Sequence, residues 1–169
     1  MHKIAAPVQV PERLYMQNHG GWAEWHGPGG PRPDIGVLRS DDYGKTWRSI
    51  AQGLPSDFGF PIVVHPHDPD VVYVMPLEPM TRTCPGGTPA VWRSLNGGRS
   101  WRRMSKGMPR RNSYYTVLRD AMTIDDLKSP ALYFGTTTGQ LWLGRDGGED
   151  WRCVFDSLPP IYSVKVAVI

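Results

Sequence analysis

The sequence predicts an all-β fold, because turn-forming residues are abundant and one turn motif recurs at regular spacing. The 169 residues include 19 Gly and 17 Pro, well above the average share of roughly 12% for these two residues. Glycine and proline destabilise helix interiors, so a helical bundle is disfavoured. Hydrophobic residues make up 40% of the chain, which is enough for a folded core, and the length suits one domain.

An eight-residue motif with the pattern S-x-D-x-G-x-T-W occurs three times, with small departures in the second and third copies. The copies are SDDYGKTW at 40–47, SLNGGRSW at 94–101 and GRDGGEDW at 144–151. Their tryptophans, Trp47, Trp101 and Trp151, are 54 and 50 residues apart. A repeat at this period predicts that the chain is an array of similar structural units.

Each unit is predicted to contain four short strands in the same order. The first strands are centred on Ile4, 61–64 and 121–124, and the second strands on 13–15, 71–74 and 131–134. The third strands cover 35–38, 90–92 and 140–143, and the fourth begins after each motif tryptophan. The predicted units are 1–54, 55–108 and 109–160. Residues 161–169 alternate like a strand and are predicted to close a ring.

The motif itself is interpreted as the turn between the third and fourth strands. A short Asp or Asn side chain can bond backbone N–H groups within a turn, and glycine supplies positive φ angles. We therefore assign a structural role rather than catalysis to the motif residues: Ser40, Asp42, Gly44, Thr46, Trp47, Ser94, Asn96, Gly98, Ser100, Trp101, Asp146, Gly148 and Trp151.

The motif resembles the Asp-box, or BNR repeat, of β-propellers such as sialidases, xyloglucan-degrading glycosidases, sortilin-type receptors and a photosystem II assembly factor. The runs 59–61, 65–70 and 118–122 look like a bacterial BNR-repeat family labelled sialidase-like or glycosyl hydrolase. The resemblance implies about three antiparallel blades, the C-terminal half of a six- to eight-bladed propeller. Either further blades of a longer protein complete the ring, or two copies form a six-bladed homodimer.

In such propellers the motif turns lie on one face, and ligands usually bind at the opposite face. Two enlarged loops fall on that opposite face. The first carries His19, Trp22, Glu24, Trp25 and His26, which could form a stacking platform for a glycan or could only anchor the loop. The second enlarged loop runs from 76 to 89. Asp57 and Tyr115, in neighbouring loops, are added as candidate ligand-binding residues.

A glycosidase would also need catalytic residues on this face. The candidate catalytic residues are Arg119, Asp120 and Glu78, with a structural ion pair as the alternative for the first two. Sialidases use three arginines, a tyrosine nucleophile paired with Glu, and an Asp acid/base. Tyr114, Tyr115 or Tyr162 could supply the nucleophile and Glu78 or Glu24 its partner, but no Arg-Ile-Pro motif is present. We therefore predict glycan or polymer binding, with glycoside hydrolysis, a non-catalytic scaffold or assembly role, or a fragment without its own function as alternatives.

Composition excludes several other classes. The net charge is +3 and the cations are scattered, so a nucleic-acid partner is not expected. No apolar run approaches the roughly 18 residues of a membrane span. Cys84 and Cys153 fit no metal or redox motif, and His65-x-His67-Asp68 is explained as a turn, so no metal or cofactor is expected. We expect a cytoplasmic protein, although a fragment could have lost a signal peptide.

Overall fold

The computed structural model describes residues 2–18 and 35–167, which form three four-stranded antiparallel sheets. Sheet one contains β1 (Lys3–Ala5), β2 (Leu14–Asn18), β3 (Gly36–Ser40) and β4 (Arg48–Ser49). Sheet two contains β5 (Gly59–Val64), β6 (Val72–Pro76), β7 (Val91–Ser94) and β8 (Arg102–Met104). Sheet three contains β9 (Met122–Ile124), β10 (Leu132–Gly135), β11 (Leu141–Arg145) and β12 (Asp150–Phe155). The all-β prediction is confirmed, and the arrangement fits a partial propeller.

Helix is almost absent from this part of the chain. The helical element within it is a single 3-10 turn, Pro85–Gly87. Nowhere in residues 2–18 and 35–167 does a helix have the length and apolar character that a membrane span requires.

The sheets pack face to face because side chains alternate along each strand. In β6, Val72 and Val74 point towards sheet one, where they join Tyr15 in one apolar core. Tyr73 and Met75 point the opposite way, into the core shared with sheet three. Sheet two is therefore covered on both faces by its neighbours, as the middle blade of three would be.

The first strand of each sheet lies innermost, and β5 contacts both β1 and β9. The residues after β12 return to this inner region. Val164 donates its backbone N–H to the Asp120 carbonyl at 2.9 Å, and Ser163 and Asp120 form one parallel bridge. Residues 161–167 were predicted to form a closing strand. In the described part of the chain they form one isolated bridge and no strand.

The first two motif turns share one hydrogen-bond network. The Ser40 hydroxyl accepts the Gly44 N–H at 2.8 Å and donates to Asp42 at 2.7 Å, while Asp42 accepts the Thr46 N–H and hydroxyl at 2.9 and 2.6 Å. Ser94, Asn96, Gly98 and Ser100 form the matching network, except that the Asn96 amide donates to the Ser100 hydroxyl at 2.9 Å instead of accepting from it. These side chains tie each turn to itself, as expected for structural residues.

The third motif turn is held differently. Gly144 replaces the serine, and the Trp151 ring occupies the space where a Cβ would lie, 2.7 Å from the nearest ring atom. Gly148 and Glu149 donate their N–H groups to the Arg145 carbonyl at 2.9 Å. Asp146 contacts Ser129 at 3.5 Å rather than its own turn. Because the serine hydroxyl is absent, backbone hydrogen bonds rather than side-chain hydrogen bonds hold this turn.

Candidate ligand-binding face

The second enlarged loop folds back on itself directly after β6. Glu78 donates its N–H to the Thr83 carbonyl at 2.8 Å, and Arg82 donates its N–H to the Glu78 carbonyl at 2.7 Å. Arg82 has a φ of 59°, in the left-handed region, which allows the loop to reverse its direction within a few residues. The loop then passes through the 3-10 turn before β7.

This loop is hydrogen-bonded to the segment that joins sheets two and three. Cys84 donates its N–H to the Tyr115 carbonyl at 3.0 Å, and Ser113 donates its N–H to the Gly87 carbonyl at 2.9 Å. The Thr116 hydroxyl donates to the Arg82 carbonyl at 2.9 Å. Residues 76–89 and 110–116 therefore form one continuous surface, here called the loop face.

Tyr114 is the exposed aromatic residue at the centre of these contacts. Its ring lies against the Gly87 backbone, since a Cβ on Gly87 would be 2.9 Å from the Tyr114 Cζ atom. Gly87 also has a φ of +62°, which favours glycine. With one side on Gly87, the Tyr114 side chain remains 60% exposed. The contact therefore orients an aromatic ring towards solvent.

Tyr115, the candidate named from the sequence, points the other way. It is half-buried against the core between sheets two and three, with its ring centroid 6.2 Å from that of Trp142. Burial raises the pKa of the Tyr115 hydroxyl. The sequence places Tyr114 and Tyr115 next to each other but does not show which ring faces solvent.

The loop face also carries charge. Arg82, Arg111 and Glu78 are exposed, whereas Cys84 is buried. The Cys84 thiol donates to the Tyr115 carbonyl at 3.3 Å, and burial raises its pKa to about 12. The thiol therefore stays protonated near neutral pH and is a poor nucleophile.

The candidate catalytic residues lie near the same side of the molecule. Arg119 and Asp120 are exposed and precede β9, while Glu78 follows β6. The Asp120 carboxylate lies 3.8 Å from the Lys3 ammonium group, which comes from sheet one. Lys3 also donates to the Met122 carbonyl at 3.4 Å, and desolvation lowers the pKa of Lys3 despite the attraction of Asp120. Asp120 thus takes part in an ion pair that joins the inner strands of sheets one and three.

The remaining candidates fall at the edge of this face or outside the described residues. Asp57 is half-buried, its carbonyl accepts the Gln17 side-chain amide at 2.8 Å, and its carboxylate approaches Gly36. The first enlarged loop is not described, so His19, Trp22, Glu24, Trp25 and His26 remain predictions.

The histidine pair lies in the turn between β5 and β6. His67 Nε2 lies 3.1 Å from the Asp126 carbonyl and 3.0 Å from the Leu127 carbonyl, so it joins sheet two to sheet three. The His65 ring nitrogen Nδ1 accepts the His67 N–H at 3.1 Å. Within residues 2–18 and 35–167, no group of three or more His, Cys, Asp or Glu side chains could hold a metal ion.

Comparison with known proteins places this architecture among β-propellers. No family model and no curated protein matches the sequence. Among solved structures, a Niastella koreensis GH74 enzyme aligns over 92% of this chain with a TM-score of 0.56 and 18% identity. An ancestral GH74 enzyme aligns over 89% with a TM-score of 0.59 and 14% identity, and YCF48 bound to D1 peptide aligns over 94% with a TM-score of 0.54 and 13% identity.

These similarities establish the fold. The chain spans 22%, 18% and 40% of the lengths of those three proteins, respectively. It therefore corresponds to a part of each larger propeller chain, and the activity of the whole proteins is a separate question.

Proposed function

We propose that this chain belongs to an Asp-box propeller and binds a glycan chain at the loop face. The observation that carries the proposal is the Tyr114 ring, which rests on Gly87 and is 60% exposed. A fixed aromatic ring suits stacking against a sugar, because little side-chain freedom is lost on binding.

Neighbouring groups on the loop face support an extended ligand. The exposed Arg82 and Arg111 side chains offer hydrogen-bond donors on the two hydrogen-bonded segments. Tyr114 lies on the second of these segments, so a polymer lying across it would contact both. The GH74 enzymes that share the fold give a reason to test glycans first.

Binding is favoured over hydrolysis by the position of Asp120. Most glycoside hydrolases need two carboxyl groups that face each other across the scissile bond. Asp120 instead faces Lys3, while Glu78 belongs to the loop of sheet two. Absence of reducing-sugar release from a bound glycan is therefore the expected result.

The second candidate function is a non-catalytic scaffold that binds a peptide. It is favoured by the similarity to YCF48 bound to D1 peptide and by the exposed arginines of the loop face. A peptide would use the same surface, so the two candidates differ in ligand rather than in site.

Affinity electrophoresis in gels containing xyloglucan, mixed-linkage β-glucan or arabinoxylan tests the proposal. We expect at least one polymer to retard the protein, and Tyr114→Ala to weaken that binding at least tenfold through loss of stacking. Tyr114→Phe, which keeps the ring, should retain most of the affinity. No retardation by any of the three polymers would contradict glycan binding and favour the scaffold.

Tyr43→Ala is the matched control. Tyr43 is 65% exposed but lies in the first motif turn, on the opposite side of the molecule. Equal weakening by Tyr43→Ala and Tyr114→Ala would show that binding does not depend on the loop face.

A further inference from the structure

A polar groove lies at the edge of the loop face, between the enlarged loop of sheet two and the outer strand β8. Its volume is about 650 Å³, within the usual range for ligand sites. The groove is lined by Thr88, Arg103, Ser105, Lys106, Gly107, Pro109 and Arg110. Three of these seven residues are cationic and none is acidic.

Two of the cations have no carboxylate partner in the described part of the chain. Arg103 donates to the Ser105 hydroxyl and to the Thr88 carbonyl at 3.3 Å, so its bonds are to neutral groups. Arg110 is exposed and makes no ion pair within residues 2–18 and 35–167. The third, Lys106, pairs with Asp150 at 2.7 Å on the outer side of the junction with sheet three. The groove therefore carries positive charge that the protein leaves uncompensated.

The Ser105 hydroxyl in the groove contacts one of these cations, Arg103. Ser105 accepts from Arg103, so its own hydroxyl proton is available to a ligand. Thr88, by contrast, already donates its hydroxyl to the Pro85 carbonyl at 3.0 Å. The Arg103 guanidinium and the Ser105 hydroxyl are therefore held next to each other by a direct hydrogen bond.

The floor of the groove is fixed to sheet three. Trp151 donates its backbone N–H to the Lys106 carbonyl at 2.9 Å, and Met108 donates its N–H to the Ser105 carbonyl at 3.0 Å. Gly107 has a φ of +89°, and a Cβ there would lie 2.0 Å from the Trp151 carbonyl oxygen. The backbone that carries the groove residues is therefore held in one conformation.

We propose that this groove binds a tetrahedral oxyanion, the phosphate or sulfate group of a larger ligand, through Arg103, Arg110 and Ser105. Guanidinium groups match such oxyanions in geometry and charge. The lining contains no aromatic residue, so stacking is not the means of recognition. Thr88 and Arg110 belong both to the groove and to the edge of the loop face. The proposal does not rest on glycan binding at Tyr114, because neither Tyr114 nor the neighbouring Arg82 and Arg111 line the groove.

Isothermal titration calorimetry at low ionic strength tests the groove with three probes: inorganic phosphate, inorganic sulfate and a sulfated heparin disaccharide. We expect saturable binding of at least one probe. The Arg103→Gln/Arg110→Gln double variant should weaken it at least tenfold, whereas Arg103→Lys/Arg110→Lys should retain part of the affinity. Preference for phosphate, or for the sulfated disaccharide, would identify which oxyanion source the groove takes.

Arg99→Gln/Lys128→Gln is the charge-matched control, since both side chains are exposed and lie outside the groove. Thermal melting of all variants confirms folding before titration. Affinity within twofold of the wild type in Arg103→Gln/Arg110→Gln, or equal weakening in the control, would overturn the proposal. Failure of all three probes to bind would overturn it as well.

Discussion

Asp42 and Asn96 occupy the same position in the first two motif turns, yet only Asp42 can ionise. Both accept the N–H of the residue four positions later, at 2.9 Å for Asp42 and 3.0 Å for Asn96. Hydrogen bonds from the Thr46 hydroxyl and N–H and from Ser40 lower the pKa of Asp42 to about 2. The turn therefore needs a short side chain that accepts hydrogen bonds. In the first turn the negative charge of Asp42 also makes the stability of the fold depend on pH.

Asp42→Asn should retain the turn and remove this pH dependence. Because the folded-state pKa lies below the unfolded value of 3.8, ionised Asp42 stabilises the fold above about pH 4. That contribution is lost as the pH falls through about 2. We expect the stability advantage of the wild type over Asp42→Asn to shrink between pH 4 and pH 2.

Urea unfolding at pH 6, 4, 3 and 2 measures this difference. Asp126→Asn is the control, since Asp126 is exposed and lies outside the motif turns. A wild-type advantage that stays constant across this pH range would contradict the assigned role of Asp42.

At the level of strands and turns, the sheets are joined by a repeated arginine contact. Arg39 on β3 donates to the Gly97 carbonyl of sheet two at 3.2 Å. Arg93 on β7 donates to the Gly147 carbonyl of sheet three at 3.1 Å and to Glu149 at 2.7 Å. Each arginine is buried and immediately precedes the serine of its own motif turn. The motif turn of one sheet is thus the docking point for the preceding sheet.

Arg93→Met should destabilise the junction between sheets two and three. The substitution removes two hydrogen bonds from a charged donor, one of them to a carboxylate, so we expect the free energy of unfolding to fall by about 2 kcal/mol. Arg99→Met, at an exposed position of the neighbouring turn, should change it by less than about 0.5 kcal/mol. Urea denaturation compares the two variants, and equal stability of Arg93→Met and the wild type would contradict a docking role for Arg93.

The order of strands and turns could be predicted because each unit repeats the same local signals. Apolar runs predict the strands, and the motifs that begin at Ser40 and Ser94 predict the turns, because both depend on residues close together in the sequence. The pairing of the enlarged loop with residues 110–116 could not be predicted, because it depends on backbone hydrogen bonds between distant segments. The exposure of Tyr114 follows from that pairing, and so does the burial of Tyr115.

At the scale of the whole molecule, the outward face of sheet three is not covered by residues 2–18 or 35–167 in the way that sheets one and two are covered by the next sheet. Ile50 and Met104, each three residues after a motif tryptophan, are buried against the next sheet. Val154 has the same position in the third unit and is 44% exposed. Leu143 stands where the first two units have Arg39 and Arg93. We infer that this face receives another blade, from a second copy or from a longer chain.

Self-association of this chain tests whether a second copy supplies that blade. We expect light scattering on a size-exclusion column to give an average mass above 19.0 kDa at high protein concentration. Val154→Asp should shift the mass towards 19.0 kDa, because a charge on an apolar interface is unfavourable. Val8→Asp is the control, since Val8 is 90% exposed. A mass of one chain at every concentration would contradict association through this face.

We propose that the ligand binds at the loop face and not on the side with the motif turns. Hydrogen–deuterium exchange with mass spectrometry, with and without the polysaccharide that retards the protein most, tests it directly. We expect slower exchange in residues 78–88 and 110–116 and unchanged exchange in the motif turns 40–47 and 94–101. Slower exchange confined to the motif turns would contradict it.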